Sequence, residues 1–394
     1  MKKALFQELA RLLLTLFLAV LTITAWAGTI DLSQVTSNTT THDGDVITGT
    51  LANSVKISIA AGATVTLQDM TINVTENLSQ DWAGITCEGS ATIILEGTNF
   101  VNGFNRYYPG IQPGPAGTLL TIRGNGSLTA KSGGDDVLMA PGIGQEYSYG
   151  VCGDITIESG TIIANGGCYS AGIGSSLVST CGNITITGGD VTATCVDMYG
   201  PGIGSGFKGT CGNITISGGN ISATGANYGA GIGTGMGVDG DSNPSSPDPD
   251  AHPSTCGIIT ITGGTINATG GKLAAGIGTG DIGNCGNITI DGGNIAATKG
   301  SNAQHSIGRG FDGYNFTPTS FTVTIGGNTG FITDSPYTVV VVNSPHNVTL
   351  KEGTADADKW AITPGSALRG ESVVITYSGN KKIKSIKAVR KVQQ

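Results

Sequence analysis

Apolar and polar residues alternate in short runs that restart at a fixed interval. In residues 211 to 235, Ile214 and Ile216 flank Thr215, and Ile221 and Ala223 alternate with Ser222 and Thr224, with Gly218-Gly219 between the two runs. Alternation over so few residues predicts short, half-buried strands, and the glycine pair predicts a corner where positive φ is needed. An Ala-Gly-Ile-Gly-Thr-Gly stretch closes the unit. Cys-Gly opens successive copies at Cys152, Cys181, Cys211, Cys256 and Cys285. Gly-Ile-Gly starts at Gly142, Gly172, Gly202, Gly231 and Gly276, with Ser306-Ile307-Gly308 as a worn copy. Both markers advance by 29 or 30 residues except for one step of 45. The long step holds an insertion at residues 236 to 255, a surface loop by its Pro, Gly, Ser and Asp content.

One unit is therefore three short strands and three turns. Three turns that bring the chain back to the same residue type describe one coil of a parallel β-helix, with identical side chains stacked in columns ~4.8 Å apart. Parallel crossovers are right-handed as a rule, so the coil is expected to be right-handed. Weaker copies extend upstream, where Val65-Thr66-Leu67 precedes Ala83-Gly84-Ile85, and Leu120-Thr121-Ile122 precedes Pro141-Gly142-Ile143. The expected fold class is all-β: a right-handed parallel β-helix, a solenoid with coils of about 30 residues, followed by a small C-terminal β module. Expected boundaries are a leader at residues 1 to 27, a cap and first coil at 28 to 62, and the helix at 63 to 336. Its repeats are clearest at 152 to 310, and the module with its basic tail occupies 337 to 394.

The leader reading rests on Lys2 and Lys3, an apolar run, and Ala25-Trp26-Ala27 as a small-x-small cleavage site. No lipid-accepting Cys opens the mature chain and no later apolar run could span a bilayer, so secretion or a cell-surface location without a membrane span is expected. Composition adds that 65 of 394 residues are Gly and 38% are apolar, which excludes collagen and argues against disorder. Charge is uneven: residues 28 to 350 carry eight basic and twenty-three acidic side chains, whereas residues 351 to 394 carry nine and four. An acidic, aromatic-poor body is unsuited to phosphate neutralisation, so nucleic acid is excluded as a partner.

Ala63-Thr-Val-Thr-Leu, Ala91-Thr-Ile-Ile-Leu-Glu-Gly-Thr and Leu120-Thr-Ile-Arg-Gly-Asn-Gly-Ser-Leu-Thr-Ala resemble the secreted carbohydrate-binding β-helix family related in fold to pectate lyases. The Cys-Gly-Asn-Ile-Thr-Ile and Ala-Gly-Ile-Gly copies are similar to repeats in secreted proteins of anaerobic bacteria, and residues 350 to 389 resemble a terminal module in such proteins. The resemblance implies polysaccharide binding and calcium as a cofactor; the expected partner is a polysaccharide or a host or cell-surface glycan, and the expected state is a monomer. It is carried by residues that keep the fold, so it speaks to architecture more than to activity.

Counting three residues back from each Gly-Ile pair gives Tyr107, Met139, Tyr169, Tyr199, Tyr228 and Leu273. Tyr in one column could offer pyranose rings a stacking face, with Trp82, Tyr108, Tyr147 and Tyr149 nearby in the pattern; an aromatic ladder that only packs the loops is the alternative. The expected carbohydrate-binding residues are Tyr107, Tyr169, Tyr199, Tyr228 and Trp82. Asp239, Asp241 and Asn243 supply alternating oxygens that suit calcium, although Pro244 stands where a calcium loop of the EF type needs Gly. The repeated Cys are expected as a buried thiol ladder, with Cys168 and Cys195 the better-placed pair for a bridge. Four scattered His and no nucleophile motif give catalysis little support, and Asp135-Asp136 beside Arg123 is the best pair on offer for a polysaccharide lyase or hydrolase. A structural spacer and a regular Thr surface for ice are further readings; loss of the second Thr in each pair, at Ser222, Asn267 and Ala296, counts against the last.

Overall fold

The computed structural model describes residues 27–134, 138–238, 252–311, 320–326, 328–330, 337–343, 360–363 and 372–377. The expected leader, save residue 27, lies outside them, as do Asp135, Asp136 and the calcium candidates Asp239, Asp241 and Asn243.

Each coil presents three faces. In one coil these are Ile184–Ile186 on face 1, Asp190–Cys195 on face 2 and Ile203–Ser205 on face 3. Parallel pairing carries each strand onto its copy in the next coil: on face 1 Ile155 meets Ile184, then Ile214, Ile259, Ile288 and finally Val323. Face 3 runs as one 10-stranded sheet, while faces 1 and 2 belong to a 20-stranded one.

The inner columns explain the apolar half of the repeat. Ile85, Ile111, Ile143, Ile173, Ile203, Ile232, Ile277 and Ile307 stack along face 3 with no exposed surface. Face 2 adds a column of Ala at Ala130, Ala164, Ala193, Ala223, Ala268 and Ala297. Each fully buried Ile contributes about 1.5–3 kcal/mol of apolar burial, repeated coil after coil. On the outer side of face 1, half-buried Thr continues in register from Thr64 through Thr92, Thr121, Thr156 and Thr185 to Thr324, so the Thr column is longer than the clear repeats.

Glycine is needed at two columns. Gly189 turns the chain from face 1 to face 2 at φ 88°. Gly204 has φ 132°, and a Cβ there would run into the carbonyl of Gly233 in the next coil. The Gly-Ile-Gly marker is thus a place where backbones approach too closely for any side chain.

One finding differs from the strand-and-turn expectation and two add to it. The Cys-Gly corner is itself a short strand in four coils, Thr180–Cys181, Thr210–Cys211, Ser254–Cys256 and Gly283–Cys285, because consecutive copies pair in parallel there. The insertion leaves the register untouched, since Cys211 still meets Cys256, and a Val238–His252 bridge closes its neck. The C-terminal segment is joined to the solenoid by its backbone: Tyr337–Asn343 pairs antiparallel with the face 2 segment Gly293 to Ala297 and with Ser372–Tyr377. Among the described residues no helix is long and apolar enough to cross a membrane.

Candidate functional site

The loop between faces 2 and 3 of each coil lies against the loop that follows face 3 in the next. The contact repeats as a backbone hydrogen bond: Tyr147 N–H donates to the Tyr107 carbonyl (2.9 Å), Phe207 to Tyr169 (2.8 Å), Met236 to Tyr199 (2.9 Å) and Asp281 to Tyr228 (3.0 Å). This ladder sets the loops at the coil spacing, and their aromatic side chains therefore meet.

Tyr169 and Tyr199 stack with centroids 5.1 Å apart and planes 16° from parallel; Tyr199 and Tyr228 follow at 5.4 Å and 23°. Tyr147 bridges the gap left by Met139, lying 5.1 Å from Tyr107 and 6.2 Å from Tyr169. Phe207 packs beside Tyr169 and Tyr199 at 5.6 and 5.1 Å, and the Lys208 ammonium sits 5.7 Å over its ring. Tyr107, Tyr169, Tyr199 and Tyr228 are brought into one edge, and all are at least partly exposed. Burial first, then neighbouring thiols and phenols, push the Tyr169 hydroxyl up; for Tyr199 the adjacent Tyr169 follows burial.

The ring arrangement changes what this edge can offer. Rings stacked on one another spend their faces within the ladder and turn outward their electropositive edges and their hydroxyls. Tyr169, Tyr199 and Tyr228 are suited to hydrogen bonding along the rod more than to stacking on a sugar. Trp82 is not part of the row: it packs edge-on against the fully buried Phe104 at 5.7 Å, because the loop before face 3 folds inward there. Phe207 was missed by counting back from Gly-Ile; it stands three residues after the second Gly of its marker, the offset at which Tyr147 stands in its own coil.

Arg106 is held by Glu76 through Nε to Oε1 (2.6 Å) and Nη2 to Oε2 (2.8 Å), and that hydrogen bonding keeps the Glu76 carboxyl below its usual range. Arg123 is exposed on face 1, and its expected partners Asp135 and Asp136 lie outside the described residues.

All eight cysteines are buried free thiols, Cys168 and Cys195 included. Cys256 and Cys285 sulfurs are 4.0 Å apart. Burial pushes Cys87 and Cys168 up to about 12, and hydrogen bonding to the Cys181 thiol, with burial, holds Cys152 well above the ordinary range. Such thiols pack as a small apolar column and are poor nucleophiles. Among the described residues no group of three or more His, Cys, Asp or Glu side chains is arranged to hold a metal ion.

A family model described as a β-helix repeat matches residues 155–177, 184–207, 214–236 and 259–281. Each match spans most of one coil, from face 1 through the loop after face 3, and supports a parallel β-helix. No curated protein and no solved structure matches the chain.

Proposed function

We propose that this chain is an exported, right-handed β-helix that binds a polysaccharide or a cell-surface glycan without catalysis, through its aromatic edge. The observation that supports this reading is the unbroken ring ladder from Tyr107 through Tyr147, Tyr169 and Tyr199 to Tyr228, which leaves phenol groups at one per coil on a partly exposed surface. A ladder that served packing alone would gain from Phe or Leu as readily as from Tyr, whose hydroxyl has to find a partner when buried. An extended, equatorially linked sugar chain advances by close to one coil rise per residue, so the spacing suits a glycan lying along the rod.

A glycan array and insoluble-polysaccharide retention with the mature protein, with and without calcium, test the reading, while the same mixtures are assayed for released reducing or unsaturated sugar. Retention without release is the expected result. Release of product would place the protein among lyases or hydrolases, and retention of nothing would leave a structural spacer.

A further inference from the structure

The Cys-Gly corner repeats a metal-ligating side chain along the rod, with Cys181, Cys211, Cys256 and Cys285 in register from coil to coil. Packing alone does not call for sulfur, since the small apolar position on face 2 is filled by Ala from Ala130 through Ala164, Ala193, Ala223 and Ala268 to Ala297. Thiolates are the soft donors that select Cu(I) among the first-row metals.

At the C-terminal end of the column two sulfurs and an oxygen converge. Cys256 and Cys285 Sγ are 4.0 Å apart. The Gly257 carbonyl oxygen lies 3.4 Å from the first and 3.7 Å from the second. The point equidistant from these three atoms is about 2.2 Å from each, against about 2.3 Å for a metal–thiolate bond. The triangle of donors is therefore already sized for an ion in its plane. Gly286 N–H takes one lone pair of the Gly257 carbonyl (3.1 Å), and a carbonyl oxygen has two. Cys256 and Cys285 keep 7% and 5% of their surface, against 1% at Cys152 and Cys181, so solvent comes nearest to the column at this end. Donor number then selects the ion. Structural zinc is four-coordinate, and no third His, Cys, Asp or Glu side chain among the described residues joins this pair. A monovalent soft ion is satisfied by two thiolates and a weaker third donor.

We propose that Cys256, Cys285 and the Gly257 carbonyl form a planar site that binds Cu(I) through two thiolates and one oxygen. Each thiol gives up its proton as its sulfur–copper bond forms, so one Cu(I) enters, two protons leave and no electron is transferred. The hydrogen bond with Cys256, then burial, holds Cys285 in its protonated form, so protons compete with the metal and affinity rises with pH.

The test is competition for Cu(I) between the full mature protein, reduced and kept free of oxygen, and a coloured Cu(I) chelator such as bicinchoninate. The native protein is expected to withdraw the ion, with an affinity that rises by about a hundredfold per pH unit in the neutral range because two protons leave. X-ray absorption of the copper-loaded protein is expected to show two sulfur neighbours and one oxygen. Cys256→Ala and Cys285→Ala should each lower affinity by about a hundredfold or more, while Cys87→Ala and Cys168→Ala leave it unchanged. Melting of each variant without copper separates a lost ligand from a lost fold, and where a variant does not fold the absorption spectrum of the native protein decides. No uptake from the chelator, a copper shell with no sulfur or with three sulfurs, or uptake that survives Cys256→Ala and Cys285→Ala but fails in Cys168→Ala, overturns the proposal.

Discussion

Two stretches of the same solenoid hold their coils together by different means. In residues 152 to 308 the coils are joined by backbone pairing over columns of Ile, Ala and Gly; the interior of faces 1 and 2 is apolar, and only the ends of face 3 bury small hydroxyls such as Ser205 and Thr234. In residues 64 to 134 buried amides take over part of the task. Asn99 Oδ1 accepts from Met70 N–H (3.1 Å), Asn102 both accepts from Val74 N–H (3.0 Å) and donates to its carbonyl (2.9 Å), and Asn105 donates to the Gln80 carbonyl (2.7 Å). The cause is local. After Ile72 the chain leaves the ladder, pairing with face 2 only at Thr71 and Ile72, so backbone groups that a regular coil would satisfy need another partner. Where the repeat is regular, sequence is spent on shape; where a long loop departs, it is spent on hydrogen bonds. That loop also carries Glu76 to Arg106 and Asp81 to Asn105, next to Tyr107 at one end of the aromatic edge.

The comparison breaks most sharply at Gly204. Gly204→Ala puts a methyl against the Gly233 carbonyl in a backbone conformation unfavourable to Ala, and is expected to cost more than about 4 kcal/mol or prevent folding, read as loss of the cooperative melt. Asn102→Ala, in the irregular stretch, removes two hydrogen bonds and leaves the partly buried Val74 backbone groups without them; a loss of about 1–3 kcal/mol in denaturant unfolding is expected. An effect as large as that of Gly204→Ala would mean that the amides organise the whole rod.

Smaller effects sharpen the picture. Val178 holds a left-handed turn at φ 47°, the position taken by Ser148, Lys208 and Ile282 in other coils. Val178→Gly should stabilise the protein by about 1 kcal/mol, seen as a higher melting temperature, and a drop would show that the side chain outweighs the strain. The Glu76–Arg106 pair gives the least effect and a pH signature. Because the folded Glu76 is depressed, its contribution is present above the ordinary Glu range and is lost as pH falls through the folded value. Glu76→Gln should thus lower the melting temperature slightly at pH 7, with the gap to the native protein closing below roughly pH 4.

The coil was legible because in-register stacking forces one residue type to recur. Gly204 and Ile203 have the same neighbours as Gly174 and Ile173, so the marker survives in sequence at every copy. The edge was half legible. Counting found Tyr169, Tyr199 and Tyr228, but ring orientation depends on how two loops of different coils meet, and no column count carries that. The contact of Trp82 with Phe104 was not legible for the same reason: its loop is longer than its counterparts and brings the two rings together. The buried Asn residues could have been noticed as polar positions interrupting an apolar column, since Asn99 stands in register with Leu128.

The central claim is that the aromatic edge binds glycan, and it is tested most directly by retention on the polysaccharides the array selects. Native protein is compared with the triple variants Tyr169→Phe, Tyr199→Phe, Tyr228→Phe and Tyr169→Ala, Tyr199→Ala, Tyr228→Ala, each first shown to melt cooperatively. The account predicts retention in the native protein, a marked fall in the Phe variant, which keeps the stacked rings and loses only the hydroxyls, and a further fall in the Ala variant. Retention equal in all three proteins would contradict it.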